Sequence, residues 1–209
     1  MPKIAVIVAT FNRAALLQRA LVSALQQTFT DFELIVVDDG SRDDTAEVLA
    51  GVAAQDPRVR VVHQANAGLA AARLNGFRHS CAEWVTFLDD DDRVLPQHLA
   101  SRLELTGRFP RVDLWQGGFQ TEGDPWVVDY FDRAKLIHTD AVVVGATFFM
   151  RRQVFEELGG FRPLPFGDDT DFWARAVRRF VCGQLREPRT YLWLRAKGSM
   201  SDIAPTPMR

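Results

Sequence analysis

The sequence predicts an alternating α/β chain built on a mainly parallel sheet flanked by helices. Three observations predict it. Continuous apolar runs alternate with segments of helical spacing through the first hundred residues. Those runs do not alternate polar with apolar, so they read as strands covered on both faces. Each run also stops at small, polar or acidic residues, which in such a sheet marks one functional edge.

The elements follow in order. "KIAVIVA" (Lys3 to Ala9) is the first strand, and "AALLQRALVSALQQ" has the 3–4 spacing of a helix. "ELIVVDD" (Glu33 to Asp39) is the second strand. Ser41 then reads as an N-cap, with Asp43 and Asp44 in the following first turn. "RVRVVHQ" (Arg58 to Gln64) is a third strand, and "GLAAARLNGFRHS" a helix. "EWVTFL" (Glu83 to Leu88) is a fourth strand, and "PQHLASRLEL" a helix opened by Pro96. In the second half, "VDLWQGGF", "AVVVGATFFMRR" and "TYLWLRA" read as strands. "RQVFEELGG" is a short helix closed by Gly159 or Gly160, and "DDTDFWARAVRRFV" an amphipathic helix. With no repeat and no low-complexity linker, residues 1–209 are expected to form one domain with a continuous core.

Composition bounds the partners. The 209 residues carry a net charge of -2, with 47% apolar and 25% charged residues. That balance suits a soluble globular chain and gives no reason to expect nucleic acid. Cys81 and Cys182 lack metal-type spacing, and with no visible signal peptide a cytoplasmic location is the expectation. No segment reaches the roughly 20 apolar residues that span a bilayer, and peripheral membrane contact stays open.

The strand ends carry the chemistry. They are "TFNR" (Thr10 to Arg13), "DDGS" (Asp38 to Ser41), "ANAGLAAAR" (Ala65 to Arg73) and "DDDD" (Asp89 to Asp92). Singly, "DDGS" serves as a turn, Asn12 as a cap and Arg73 as a solvated helix residue. Four successive carboxylates after a buried strand cost energy unless a cation or water relieves them. A hard divalent ion prefers such oxygens and shares them with substrate phosphates. No Gly-x-Gly-x-x-Gly and no Gly-Lys-Ser/Thr loop is present, which excludes the common dehydrogenase and P-loop patterns. "FGDDTDFWAR" (Phe166 to Arg175) forms a second acidic cluster. It serves either the helix dipole or a general base for a sugar hydroxyl, and one cluster alone does not choose.

Five segments, in order, resemble the family-2 glycosyltransferases. They are "VIVATFNRAALLQRALVSALQQTFTDFELIVVDDGSRDDT", "NAGLAAARLNG", "WVTFLDDDDRVLP", "GATFFMRRQVFEELGGF" and "GDDTDFWAR". The resemblance covers about 200 residues and includes bacterial spore-coat, capsule and lipopolysaccharide sugar transferases. It implies the Rossmann-like GT-A fold with a smaller mixed acceptor-side region, residues 1–100 forming a nucleotide-sugar-binding half and 101–209 an acceptor-binding half. It implies an inverting, hexosyltransferase-type enzyme of cell-surface polysaccharide synthesis. The donor would be a nucleoside-diphosphate sugar, with UDP expected, and the acceptor a glycan or lipid-linked glycan.

By the same resemblance, Thr10, Phe11, Asn12 and Arg13 line the nucleotide-sugar pocket. Asp39 accepts from the uracil or ribose, Asp38 supports it, and Arg73 approaches the nucleotide or the diphosphate. Asp89 and Asp91 hold Mn²⁺ or Mg²⁺ in an Asp-x-Asp motif, with Asp90 between them on the donor side. Asp92 is expected to help start the helix at Pro96. Asp169 or Asp168 is the base, with Asp169 preferred, and Trp173 lies on the acceptor side. One departure stands out: Ala196 occupies the position of a late histidine common in relatives, so either Arg195 and Lys197 pair with phosphate instead or the late loop is not a metal-binding lid. Two rival readings remain, a non-catalytic sugar-nucleotide binder and a sugar-phosphate nucleotidyltransferase. The second lacks its Gly-rich, Arg-containing loop. Specificity is expected from the irregular stretch Gly117 to Thr139.

Overall fold

The computed structural model of the protein describes residues 1–195. The first half follows the expected alternation: β1 (Ile4–Thr10), α1 (Ala14–Leu25), β2 (Phe32–Asp38), α2 (Thr45–Gln55), β3 (Val59–His63), α3 (Leu69–His79), β4 (Trp84–Asp89), β5 (Arg93–Val94) and α4 (His98–Arg108). The second half adds β6 (Leu114–Gly117), β7 (Phe119–Glu122), β8 (Trp126–Val128), β9 (Leu136–His138), β10 (Phe149–Arg151), α5 (Arg152–Leu158), α6 (Asp168–Ala176), β11 (Cys182–Leu185) and β12 (Tyr191–Leu194). The main sheet has the order β11-β6-β10-β4-β1-β2-β3. Strands β4, β1, β2 and β3 are parallel, and β10 runs antiparallel between β4 and β6. Two small sheets, β5-β12-β7 and β8-β9, complete the fold.

Strand β1 shows why the sheet forms. Ile4, Val6 and Val8 pack on one face with Leu17, Leu21 and Ala24 of α1. Ala5 and Ile7 pack on the other with Ala72 and Phe77 of α3 and with Phe155. Burying each large aliphatic side chain contributes about 1.5–3 kcal/mol, and β1 does so on both faces. Gly76 lets α3 sit close to the sheet: a Cβ there would come 2.6 Å from Ile7 Cγ2.

The structure departs from the sequence reading in local ways. "AVVVGATFFMRR" is a strand only at Phe149–Arg151; Thr139–Ala141 and Gly145–Thr147 are single 3-10 turns. Tertiary contacts override strand propensity there. Gly145 abuts Asp169, and the Thr147 hydroxyl donates to Val144 O while accepting from Gly117 N–H. The helix expected to open at Pro96 begins at His98, because the Pro96 carbonyl accepts from Thr28 N–H and its hydroxyl. Ser41 does not cap α2, which starts at Thr45. Instead Asp43 accepts from the Thr45 N–H and hydroxyl. Helix α6 ends at Ala176, five residues short of the predicted span. No helix among the described residues is long and apolar enough to cross a membrane. Ala196 and Lys197 lie outside the described residues.

Candidate active site

The strand order reverses direction between β1 and β4, which opens a crevice at their carboxyl ends. Register brings the loops to one height there: Thr10 lies opposite Asp38, Ala9 opposite Asp89, and Asp38 opposite His63. Thr10, Phe11, Asn12, Arg13, Asp38, Asp39, Arg73 and the four aspartates therefore share one edge.

The loops after β1 and β2 clamp each other. Asn12, at φ +54°, donates its N–H to Ser41 Oγ at 2.9 Å and accepts from Arg42 N–H at 2.7 Å. Asn12 is thus a loop clasp, not a helix cap. Asp38 is buried; it accepts from Ser41 N–H at 2.9 Å and meets His63 Nδ1 at 3.2 Å. Asp39 is also buried. It accepts from Gln64 Nε2 at 2.7 Å, Ala67 N–H at 2.8 Å and Gly68 N–H at 2.8 Å. These bonds tie the 64–68 loop to the end of β2. Thr10 is buried, whereas Phe11 is 44% exposed beside it.

The four aspartates have four different environments. Asp89 Oδ1 accepts from Arg73 Nη2 at 2.6 Å. Asp90 and Asp91 share Arg13 Nη1, at 3.1 and 2.8 Å. Asp92 turns inward, 2% exposed; its Oδ2 accepts from the Tyr191 hydroxyl at 2.6 Å and its Oδ1 from Leu194 N–H at 2.8 Å. It fastens β12 and starts no helix, which corrects the expectation from sequence. Burial pushes Asp90 up to about 6 against the pull of Arg13. Burial and then the Asp89 charge raise Asp91, and the same two causes hold Asp92 well above the carboxylate range.

Across the crevice, α6 begins with Asp168 and Asp169 after Gly167. Asp169 Oδ1 accepts from Thr170 N–H at 2.6 Å, and its Oδ2 from Gly145 N–H at 3.3 Å. Burial, then the Asp168 charge, raises Asp169 to about 6. Burial also raises Asp168, although Arg73 pulls it down. Arg73 joins the two acidic groups: while one nitrogen holds Asp89, the other lies 3.9 Å from Asp168 Oδ2. Its guanidinium lies over the rings of Phe87 and Phe161, with centroids at 5.3 and 4.8 Å. Those rings fix its position at 4% exposure. Trp173 packs under α6 against Phe148, ring centroids 6.2 Å apart.

Asp89 and Asp91 fit a divalent cation. Each gives one oxygen to an arginine, leaving the second oxygen outside that pair. Their mutual repulsion is the strain a cation relieves. Among the described residues no third His, Cys, Asp or Glu completes a cage. That donor set suits Mg²⁺ or Mn²⁺, which take one or two carboxylates and fill the remainder from phosphate and water.

The family model described as "Glycosyl transferase family 2" matches residues 5–159. The chain belongs to that family. Among family members, the uncharacterized glycosyltransferase EpsJ of Bacillus subtilis is 37% identical over 99% of this chain and 65% of its own length. A GalNAc(5)-diNAcBac-PP-undecaprenol beta-1,3-glucosyltransferase of Campylobacter jejuni is 42% identical over 50% of this chain and 34% of its own. The chain thus spans two thirds or less of these relatives. Staphylococcus aureus TarS 1-349 in complex with UDP-GlcNAc superposes with a TM-score of 0.79 at 21% identity, covering 97% of this chain and 61% of that one. The mannosyltransferase PcManGT of Pyrobaculum calidifontis, in complex with GDP-Man and Mn²⁺, gives 0.73 at 21% identity over 95% and 59%. Both likenesses establish the GT-A fold for this family-2 chain.

Sequence reasoning missed the Asp92–Tyr191 latch and the aromatic hairpin at β8–β9. A lone tyrosine 99 positions from its partner carries no sequence signal.

Proposed function

We propose that this chain transfers a sugar from a nucleoside-diphosphate donor, expected to be a UDP-sugar, to a glycan or lipid-linked glycan acceptor. The transfer inverts the anomeric carbon and serves cell-surface polysaccharide synthesis. One observation carries the reading: Arg73 touches Asp89 of the acidic turn at 2.6 Å and lies 3.9 Å from Asp168 of α6, the chain neighbour of Asp169. A diphosphate-binding cation therefore sits between the acidic turn and the helix start that bears the base.

In this reading the acceptor hydroxyl attacks the anomeric carbon and gives its proton to Asp169. The N–H groups of Thr170 and Gly145 hold that carboxylate in place. An acid raised to about 6 suits a base working near neutrality. Asp168 stays on the Arg73 side and keeps that cation oriented. The C–O bond to the diphosphate breaks as the new bond forms, and the growing phosphate charge faces Arg13 and Arg73. A divalent cation held by Asp89 and Asp91 supplies further charge neutralisation to the leaving group when bound. Phe11 offers its exposed ring to the base of the nucleotide. Thr10, Asn12, Asp38, Asp39 and Asp90 shape the donor pocket around it. One protein carboxylate is enough for proton transfer, unlike a glycoside hydrolase with two flanking acids.

The test is a panel of UDP-, GDP- and dTDP-sugars with and without Mn²⁺, reading nucleoside diphosphate release. Release with one donor, dependent on metal and lost in Asp169→Asn, is the expected result. Binding of nucleoside diphosphates with no turnover of any donor overturns the reading.

A further inference from the structure

The β8–β9 hairpin takes no part in the chemistry above, yet it exposes an unusual amount of aromatic surface. Phe131 is 86% exposed, Trp126 49% and Tyr130 37%. The loop that carries them has a defined shape. Asp129 accepts from Phe131 N–H at 2.8 Å, Asp132 accepts from Ala134 N–H at 3.2 Å, and Lys135 N–H donates to Asp132 O at 2.8 Å. A structured loop that holds a phenylalanine in water forgoes the stabilisation of burying it, which marks a contact surface.

The location narrows the partner. Tyr130 stacks on Phe166 at 6.1 Å and 21°, and meets Phe131 edge-on at 5.1 Å. Arg133 lies 4.7 Å over the Phe166 ring. The Cδ2–Cε2 edge of Tyr130 also lies against Gly167: a Cβ there would fall 2.1 Å from those two ring carbons. Gly167 is the residue before Asp168 and Asp169, at φ +75°. The ledge is therefore fused to the start of the helix that bears both acids.

We propose that Tyr130, Phe131 and Phe166 form an acceptor subsite that takes the C–H face of a pyranose ring. The proposal rests on the sugar-transfer reading. A pyranose presents an apolar face rimmed by hydroxyls. The rings receive the face, and the Arg133 guanidinium donates to a rim hydroxyl. A glycan chain whose reacting hydroxyl faces Asp169 then lays its neighbouring residue on the ledge. The charges of the loop argue against a membrane partner. Arg133 and Lys135 are balanced by Asp129 and Asp132, and Lys135 pairs with Asp132 at 2.8 Å, leaving no basic patch for anionic lipid.

The experiment compares the full chain with Phe131→Ala and Phe131→Trp, using p-nitrophenyl pyranosides of gluco, galacto and N-acetylglucosamine type. Saturation-transfer NMR reads binding, and turnover with the active donor reads acceptor KM. Phe131 is solvent-exposed, so the variants fold. Phe131→Ala is expected to weaken pyranoside binding and raise acceptor KM on the order of tenfold, with nucleoside diphosphate affinity unchanged. Phe131→Trp is expected to restore both. Equal pyranoside binding by wild type and Phe131→Ala overturns the proposal. So does a defect confined to phosphatidylglycerol vesicle binding. A wild-type chain that binds pyranosides through Phe131 but releases no diphosphate from any donor overturns the sugar-transfer reading and leaves the glycan site standing.

Discussion

The Tyr191 hydroxyl donates to Asp92 Oδ2 at 2.6 Å and accepts the Asp89 N–H at 3.3 Å. Asp92 in turn accepts from Leu194 N–H, so one buried pair ties the acidic turn to β12. Tyr191→Phe leaves Asp92 buried with one donor lost, which costs about 1–3 kcal/mol of stability. It also frees the turn that bears Asp89 and Asp91. The expected result is a lower urea midpoint with an unchanged slope, together with weaker Mn²⁺-dependent nucleoside diphosphate binding by calorimetry. A stability loss with unaltered binding would show that the latch does not position the turn.

Asp169→Asn keeps the size of the side chain and its acceptor oxygen but removes the base. Loss of general-base catalysis lowers kcat by about 10²–10⁴-fold. Donor KM should stay within a few-fold, because Asp169 lies on α6 and away from the β1 and β2 loops. Asp168→Asn should act differently, through Arg73. It should alter donor affinity along with kcat, and steady-state kinetics separate the two.

The raised Asp169 gives a pH signature. If Asp169 is the base, kcat/KM rises with pH and levels off above about 6. The stability effect has the opposite sign. The folded pKa lies above the ordinary value of 3.8, so the ionised carboxylate is disfavoured in the fold. Its contribution to stability is fully present below the ordinary value and is lost as pH rises to about 6. Chemical denaturation of wild type and Asp169→Asn between pH 4 and 7, a window set by about-6 titration, should show the two curves diverging as pH rises.

The sequence made the alternation of the first half legible because its signals are local. β-Branched runs, Asp-rich strand ends and helical spacing mark β1 to β4 within a few residues of their true limits. Asp168 and Asp169 drew attention through the resemblance and their acidic neighbours, with Asp169 preferred. The remainder depends on contacts between distant residues. The bend at Gly145 exists because Asp169, 24 positions later, packs against it. Asp92 read as part of a helix start because its true partners, Tyr191 and Leu194 N–H, lie about a hundred positions away. The aromatic hairpin read as irregular because its shape comes from Asp129 and Asp132 turns and from Gly167, not from strand periodicity.

Arg73 is predicted to be the least replaceable cation. It is 4% exposed, holds Asp89 and lies over two rings. Arg73→Met takes the buried cation away from Asp89 and Asp168, whose side chains are 35% and 24% exposed, so solvent holds the cost below that of breaking a fully buried pair. Arg73→Lys keeps the charge but loses the planar fork that reaches both acids. The lysine variant should therefore fold with a modest drop in melting temperature yet lose most transfer. An Arg73→Lys chain with wild-type kcat/KM would remove the bridge from the mechanism.

Asp91→Asn tests the cation site directly. Asp91 loses a charge that Arg13 and a divalent ion both use, while Asp90 still pairs with Arg13 and Asp92 still holds Tyr191. The turn should keep its shape, so stability should hold or rise slightly once the repulsion with Asp89 is gone. Transfer should fall sharply and respond weakly to added Mn²⁺, and chelation by EDTA should reduce the wild type toward the variant. Two outcomes are informative in opposite directions. If EDTA abolishes wild-type transfer and Asp91→Asn shifts the Mn²⁺ midpoint upward, the carboxylates hold the ion. If the wild type is indifferent to EDTA, the diphosphate is neutralised by Arg13 and Arg73 alone, and Asp91 serves only to orient Arg13.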